Sequence, residues 1–354
     1  MISKKTILYY AGDTAEEWNP DSIKRGLAGS QTAIIYLSKI WQKMGYEVTV
    51  YNKLDKDEQI YDGVKYVNFN RFKNDKHYDI AILWREPSFL DIEINADKIF
   101  LDLHDTQNFE EYIQERINKV DKIFIKSDFQ KEAIKNISNE KFIKIPNGID
   151  FDLYSNNIIR DKYEFIYSSD YFRGLEQMLK YGWPIIKKEI PEARLNIYYG
   201  WNFFDLVSKN KKDRLDWKNN MINLMKQDGV FEHGRIGHKE LINKMQGSNI
   251  LYYGCNFTEI DCISVRQSAY AGCIPFTSDY GVLREKDYCI KISGDFKEKD
   301  AHERLARLIV FSIKNNRLPD EYGGKNLEEV RKELRNKVAN ENWDFIAKYW
   351  SKYF

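Results

Sequence analysis

NFTEIDCISVRQSAYAGCIPFTSDYG, residues 256–281, is the stretch whose reading decides the fold. The apolar run just before it, NILYYG at 249–254, reads as a strand. A polar turn carrying Glu259 follows, and a helix opens near Ile263. Gly272 closes that helix, and IPFTS at 274–278 reads as the next strand. Strand, loop, helix and strand in this order make a βαβ unit of a parallel sheet. The first amides of such a helix, those of Cys262, Ile263, Ser264 and Val265, lack intrahelical partners and suit an anion. Glu259 then stands as a carboxylate beside an anion cradle.

The same alternation extends outward in both directions. Toward the N-terminus, EFIYSS (164–169) and ARLNIYY (193–199) read as strands, with helices expected at 174–189, 216–227, 238–246 and 263–271. IPNGID at 145–150 is rich in turn residues and forms a seam. Before it, strands are expected at 6–11, 47–51, 64–69, 79–84, 98–103 and 122–126. Helices are expected at 31–44, about 108–119 and 128–137. Two successive α/β halves of similar size are what two Rossmann-like domains would produce, and 354 residues exceed one ordinary core. The C-terminal stretch 325–354 is helical in pattern. Trp343, Ile346, Ala347, Trp350 and Tyr353 share a face, expected to pack on the body of the protein, with a membrane-surface helix as the alternative.

Composition narrows the function. Lys plus Arg (55) nearly balances Asp plus Glu (54), which argues against a nucleic-acid partner held by a broad positive field. No run is long and apolar enough to span a bilayer. The N-terminal MISKKTILYYAGD reads as a first strand rather than a signal peptide. Cys255, Cys262, Cys273 and Cys289 form no C-x-x-C pair and read as reduced, mostly buried thiols of a cytoplasmic protein. Aromatic residues at 15% suit either a carbohydrate surface or ordinary strand packing.

Three further constellations stand where strands meet helices. GLAGSQTA (26–33), with Gly29 and Ser30, offers a helix N-terminus after the first strand. It lacks the G-x-G-x-x-G spacing, and Tyr51-Asn52-Lys53 gives no acid to hold an adenosine ribose. DLHDTQ (102–107) places His104 between Asp102 and Asp105, where it is either oriented and partly charged or a capped loop histidine. SSDYFRGLEQML (168–179) sets Ser168 and Ser169 in a cap-like loop and Arg173 near a helix start. The helix dipole disfavours a cation there, so Arg173 points to a shared phosphate or else to a solvated surface arginine. Asp55-Lys56-Asp57 has the D-x-D form of a metal site but lies in a charged loop. No nucleophile elbow and no H-E-x-x-H is present.

With these residues in hand, the chain resembles the retaining glycosyltransferases of the GT-B fold. That large, family-4-like group includes sucrose-synthase-like enzymes and bacterial or viral mannosyl- and rhamnosyltransferase types. The resemblance runs through residues 28–51, 145–150, 168–179, 191–201, 233–241 and 258–281. It implies two facing Rossmann-like domains with a deep cleft, an acceptor domain at 1–152 and a nucleotide-sugar domain at 153–330. A C-terminal helix at 331–354 would cross back to the first domain.

For the site, the resemblance implies that Glu259 contacts the donor sugar and that position 267 serves the nucleotide ribose. Gln267 stands there in place of the family's second glutamate. Ser168 and Arg173 match the family's two pyrophosphate cations, so one charge remains. Arg235 matches a loop near the base, and His104 a histidine near the donor sugar. Ala28-Gly29 and Gln31 depart from the family's paired glycines and glutamate. The implied activity is retaining, metal-independent transfer of a hexose or deoxyhexose from a nucleotide-diphosphate sugar to a glycan or other hydroxyl acceptor. No further cofactor is implied, and peripheral membrane contact stays open. The alternatives are a catalytically silent nucleotide-sugar-binding scaffold and a GT-B epimerase or phosphorylase.

Overall fold

Runs of β-branched and aromatic residues, many of them followed by a helix, build two separate sheets in the computed structural model, which describes residues 4–105 and 112–354. The chain divides into one unit made of Met1–Ile23, Leu27–Ile149 and Glu341–Phe354, and a second made of Lys24–Gly26 and Asp150–Asn340.

The first unit holds eight strands: β1 (Thr6–Tyr10), β2 (Glu47–Asn52), β3 (Glu58–Tyr61), β4 (Val64–Asn68), β5 (Tyr78–Trp84), β6 (Ala96–Asp102), β7 (Lys122–Ile125) and β8 (Phe142–Lys144). Their order is β3-β4-β2-β1-β5-β6-β7-β8. All neighbours are parallel except the β3–β4 hairpin. That hairpin turns on Asp62-Gly63, both with positive φ, as a two-residue turn matched to strand twist requires.

The helix Gly29–Lys43 buries Ala33, Ile34, Leu37, Ile40 and Trp41 on this sheet. The helix Trp343–Trp350 packs beside it. The Trp41 indole N–H donates to the Ala347 carbonyl at 3.1 Å, and Trp350 stacks on Phe124 with ring centres 3.5 Å apart. Each such buried tryptophan removes roughly 200 Å² from water, about 5 kcal/mol as an upper bound. Trp343, Ile346, Ala347 and Trp350 are all buried in this core, so the face considered for a membrane surface is already occupied.

The second unit holds β9 (Asp161–Tyr167), β10 (Arg194–Ile197), β11 (Val230–Glu232), β12 (Ser248–Tyr253), β13 (Ile274–Ser278) and β14 (Ile290–Ile292). The order β11-β10-β9-β12-β13-β14, parallel throughout, is the doubly wound order of a Rossmann sheet. Strand order reverses between β9 and β12, which sit side by side.

Several expectations need correction. The second unit extends through the helix Leu327–Lys337 to Asn340, so the return to the first unit begins at Glu341 rather than 331. The helix expected over 174–189 is interrupted by a π turn, Met178–Gly182, just before Pro184, whose ring and missing N–H disrupt a regular α ladder. The helix expected over 128–137 is confined to Asp128–Ala133, and Asn136 takes a positive φ. Of the helix expected at about 108–119, Gln114–Asn118 forms, and 106–111 lie outside the described residues. A helix the reading missed, Lys299–Asn315, buries Ala301, Leu305, Leu308, Ile309 and Ile313. No helix among the described residues is long and apolar enough to cross a membrane.

Candidate functional site

In an open parallel sheet, ligands gather beyond the carboxyl ends of the strands where the strand order reverses. In the second unit that point lies at the ends of β9 and β12. Ser168 and Ser169 follow β9, Tyr253 ends β12, and Glu259 lies in the loop after it. The chain leaves β9 through a tight turn: Asp170 accepts the Phe172 N–H on its side chain (2.9 Å) and the Arg173 N–H on its carbonyl (3.0 Å). Gly174 follows with φ +93°, packed against the Gly254 carbonyl where a Cβ would collide.

This geometry brings Arg173 to Glu259. The guanidinium donates to Glu259 Oε1 at 2.5 Å, and the buried Tyr253 hydroxyl donates to the same oxygen at 2.6 Å. Oε2 accepts from no described residue. The Glu259 side chain is 7% exposed and that of Arg173 33%. Phe257 lays its ring face 4.7 Å from the guanidinium. Burial works against the Arg173 charge, but the Glu259 carboxylate outweighs it and holds the group well above its ordinary range. Burial, reinforced by the same carboxylate, raises both nearby thiols, Cys255 to about 12, so neither is a ready nucleophile.

The helix Ile263–Ala271 begins at Cys262, which takes φ +56° and ψ +76° and makes no side-chain cap. A non-glycine residue in this region costs about 1–2 kcal/mol, and such strain concentrates at functional sites. The neighbouring side chain anchors it. Asp261 accepts from Arg266 at 2.7 and 3.0 Å and from Lys286 at 2.9 Å, all buried. Desolvation opposes the Asp261 charge, yet these two cations hold its carboxyl far below the usual range. Ser264, at the second helical position, lies 2.5 Å from Ser168 through their hydroxyls. Ile263 supplies the first helical amide. The structure therefore brings together Ser168, Ser169, Arg173, Glu259, Cys262, Ile263 and Ser264.

Gln267 and Arg235 belong to the same unit. Gln267 is half-buried; its carbonyl accepts from Tyr154 at 3.2 Å, and no described residue engages its side chain. Arg235 follows Gly234 (φ +74°), with its guanidinium 5.9 Å from the Tyr199 ring. Tyr253, Asp261, Arg266 and Lys286 were missed by the sequence reading.

His104, Gly29 and Ser30 lie in the first unit. Asp102, at the end of β6, is completely buried and uses both oxygens. Lys126 donates to Oδ1 at 2.6 Å, while His104 Nε2 (3.0 Å) and the Tyr9 hydroxyl donate to Oδ2. Burial opposes the Asp102 charge, but Lys126 and His104 hold its carboxyl well below the ordinary range. The bond to Asp102 orients the His104 ring. Burial, reinforced by Lys126, lowers its pKa against the pull of Asp102. Asp105 turns away to pair with Arg85.

The helix Gly29–Lys43 starts at Ala28 without a side-chain cap, and Ser30 donates to the Gln31 side chain at 3.0 Å. In the D-x-D loop, Asp57 pairs with Arg71. All four cysteines are free and buried.

No protein-family model matches the chain, and no curated protein sequence does. Solved structures do. Sucrose-phosphate synthase from Thermosynechococcus elongatus superposes with a TM-score of 0.69 at 12% identity, over 99% of this chain and 98% of that one. Trehalose-6-phosphate synthase OtsA gives 0.67 at 9% identity, over 98% of each chain. Anabaena Alr3699/HepE, solved in complex with UDP and glucose, gives 0.63 at 12% identity, again over 98% of each. At such identities the likeness carries the fold alone: the chain has the mixed α/β, two-sheet GT-B fold of glycosyltransferases.

Proposed function

We propose that this chain transfers a hexose or deoxyhexose from a nucleotide-diphosphate sugar to a hydroxyl acceptor such as a glycan. The observation that carries this reading is Glu259 at the β9/β12 reversal. One of its oxygens is held by Arg173 and Tyr253, the other accepts from no described residue, and an uncapped helix N-terminus follows. Arg173 and the amides of Ile263 and Ser264 are the groups for a diphosphate. Glu259 Oε2 is the acceptor for a sugar hydroxyl, and Gln267 offers an amide to the ribose. The names of the similar structures, two sugar-phosphate synthases and a protein crystallised with UDP and glucose, support the same reading.

In the proposed reaction the acceptor oxygen bonds to the anomeric carbon on the face from which the diphosphate departs. The acceptor proton passes to a leaving phosphate oxygen. Arg173 and the helix amides carry the charge that develops there, so no metal ion is called for. His104, fixed by Asp102, is a candidate hydrogen-bond partner for a sugar hydroxyl. Free buried thiols suit a reducing compartment.

A panel of UDP-, GDP-, ADP- and dTDP-sugars read by thermal shift tests the reading. At ~100 times its dissociation constant the right donor stabilises by roughly 2.7 kcal/mol. No shift with any donor overturns it. A silent binding protein is favoured by Gln267 and Ser168, which replace an acid and a cation. It predicts the same shift with no donor turnover across acceptors, while an epimerase converts the donor with no acceptor present.

A further inference from the structure

The donor-site cation and the donor-site carboxylate are bonded to each other. Arg173 Nη1 lies 2.5 Å from Glu259 Oε1, in surroundings that leave Glu259 nearly buried. A guanidinium engaged in this way has part of its donor set committed, and the pair is strengthened by its low exposure. Tyr253 makes the second bond to Oε1. It is 1% exposed, its single hydroxyl proton points to the carboxylate, and Ser169 Oγ lies 3.3 Å behind it. Strand β12 places Tyr253 and the loop after it places Glu259, so this bond does not depend on Arg173. Arg173 is the more exposed partner. Its turn hangs on Asp170 and Gly174, and its flat cation lies 4.7 Å from the Phe257 ring.

We propose that the Arg173–Glu259 pair is a latch opened by the donor's diphosphate: Arg173 exchanges the carboxylate for phosphate oxygens, and Tyr253 is the positioning residue that keeps Glu259 in place through the exchange. The proposal rests on the donor-site reading above and adds how that site is kept shut. A nucleoside diphosphate binding the free protein must first break an ion pair, which weakens it. Once Arg173 has left, Tyr253 is the remaining described donor to Glu259, so the aim of Oε2 toward a sugar hydroxyl depends on one phenol.

The test titrates UDP, GDP, ADP and dTDP, each without sugar, into wild type, Glu259→Gln and Tyr253→Phe. Each protein is first checked for a wild-type unfolding transition. The latch predicts that Glu259→Gln binds the accepted diphosphate about tenfold more tightly than wild type while losing sugar turnover. Tyr253→Phe is expected to bind the bare diphosphate within about twofold of wild type. Its kcat with the matching nucleotide-sugar falls at least tenfold, a split that a general loss of folding would not produce.

Wild type that binds a diphosphate, with Glu259→Gln binding equally or less tightly, overturns the latch. An unchanged kcat in Tyr253→Phe overturns the positioning role. No diphosphate binding in wild type overturns the donor-site reading and the latch with it. If Glu259→Gln does not fold, a crystal of wild type with the diphosphate decides. The latch requires the guanidinium on phosphate and the phenol still on Oε1, and an intact Arg173–Glu259 pair contradicts it.

Discussion

Asp102 in the first unit and Glu259 in the second are both buried carboxylates near strand ends, and both meet a cation and a tyrosine. They differ in saturation. Asp102 spends both oxygens, on Lys126, His104 and Tyr9. Glu259 spends one, on Arg173 and Tyr253. Asp261, two residues from Glu259, resembles Asp102, with two cations on it. A saturated carboxylate is an anchor that fixes its neighbours, here His104 and the strained Cys262. A half-used one beside open amides retains capacity for a ligand. Burial and an ionic partner alone do not separate the two roles, whereas the count of lone pairs still available does.

The largest expected effect tests the anchor. Asp102→Asn leaves Lys126 buried without its counter-charge and should cost about 3–5 kcal/mol of stability in chemical unfolding. Diphosphate binding at the second unit should persist in the folded fraction, and its loss would blur the contrast.

Acid should act on the buried titratable groups next. His302, sealed in the second unit, is pushed down to about 4 from its ordinary 6.5 by burial. Its folded pKa is depressed, so the unfolded chain takes up the proton first. Stability is full above pH 6.5 and falls as pH drops toward 4, by about 3 kcal/mol in total. His104 is depressed in the same direction, and Asp102 adds a loss below its ordinary 3.8. Denaturant midpoints between pH 7 and 4 measure this, and His302→Gln should flatten the slope.

Arg173→Ala should weaken donor binding by about 1.5–3 kcal/mol, the worth of hydrogen bonds to a charged group. Calorimetric titration on the folded fraction reads it, since the nearly buried Glu259 also loses its counter-charge. The smallest effect is expected at Gln267, whose side chain no described residue engages. Gln267→Glu should change donor affinity by less than about tenfold, since one hydrogen-bonding group replaces another of like size.

Much of the fold could be read from sequence because parallel strands are buried on both faces and so appear as unbroken apolar runs, such as NILYY before Gly254. The helix opening at Ile263 and closing at Gly272 was equally plain. Two missed elements did carry signals. Asp62-Gly63 marks the β3–β4 hairpin, and Ala301, Leu305, Leu308, Ile309 and Ile313 recur at helical spacing. Their charged flanks masked them.

The site was half legible. Glu259 and Arg173 stood out as charges at strand ends, but their mutual bond joins residues 86 apart in sequence. Tyr253 read as one more core tyrosine, because its ring is core and only its hydroxyl serves the site. Arg266 lies inside an amphipathic helix, where sequence alone does not distinguish a buried ion pair from a solvated face.

The most direct test of the account compares turnover of the accepted nucleotide-sugar by wild type and Glu259→Gln at saturating donor. The account predicts a fall of at least ~100-fold, the scale of a lost transition-state contact, in a protein that still binds the nucleoside diphosphate. Wild-type turnover in Glu259→Gln would contradict it.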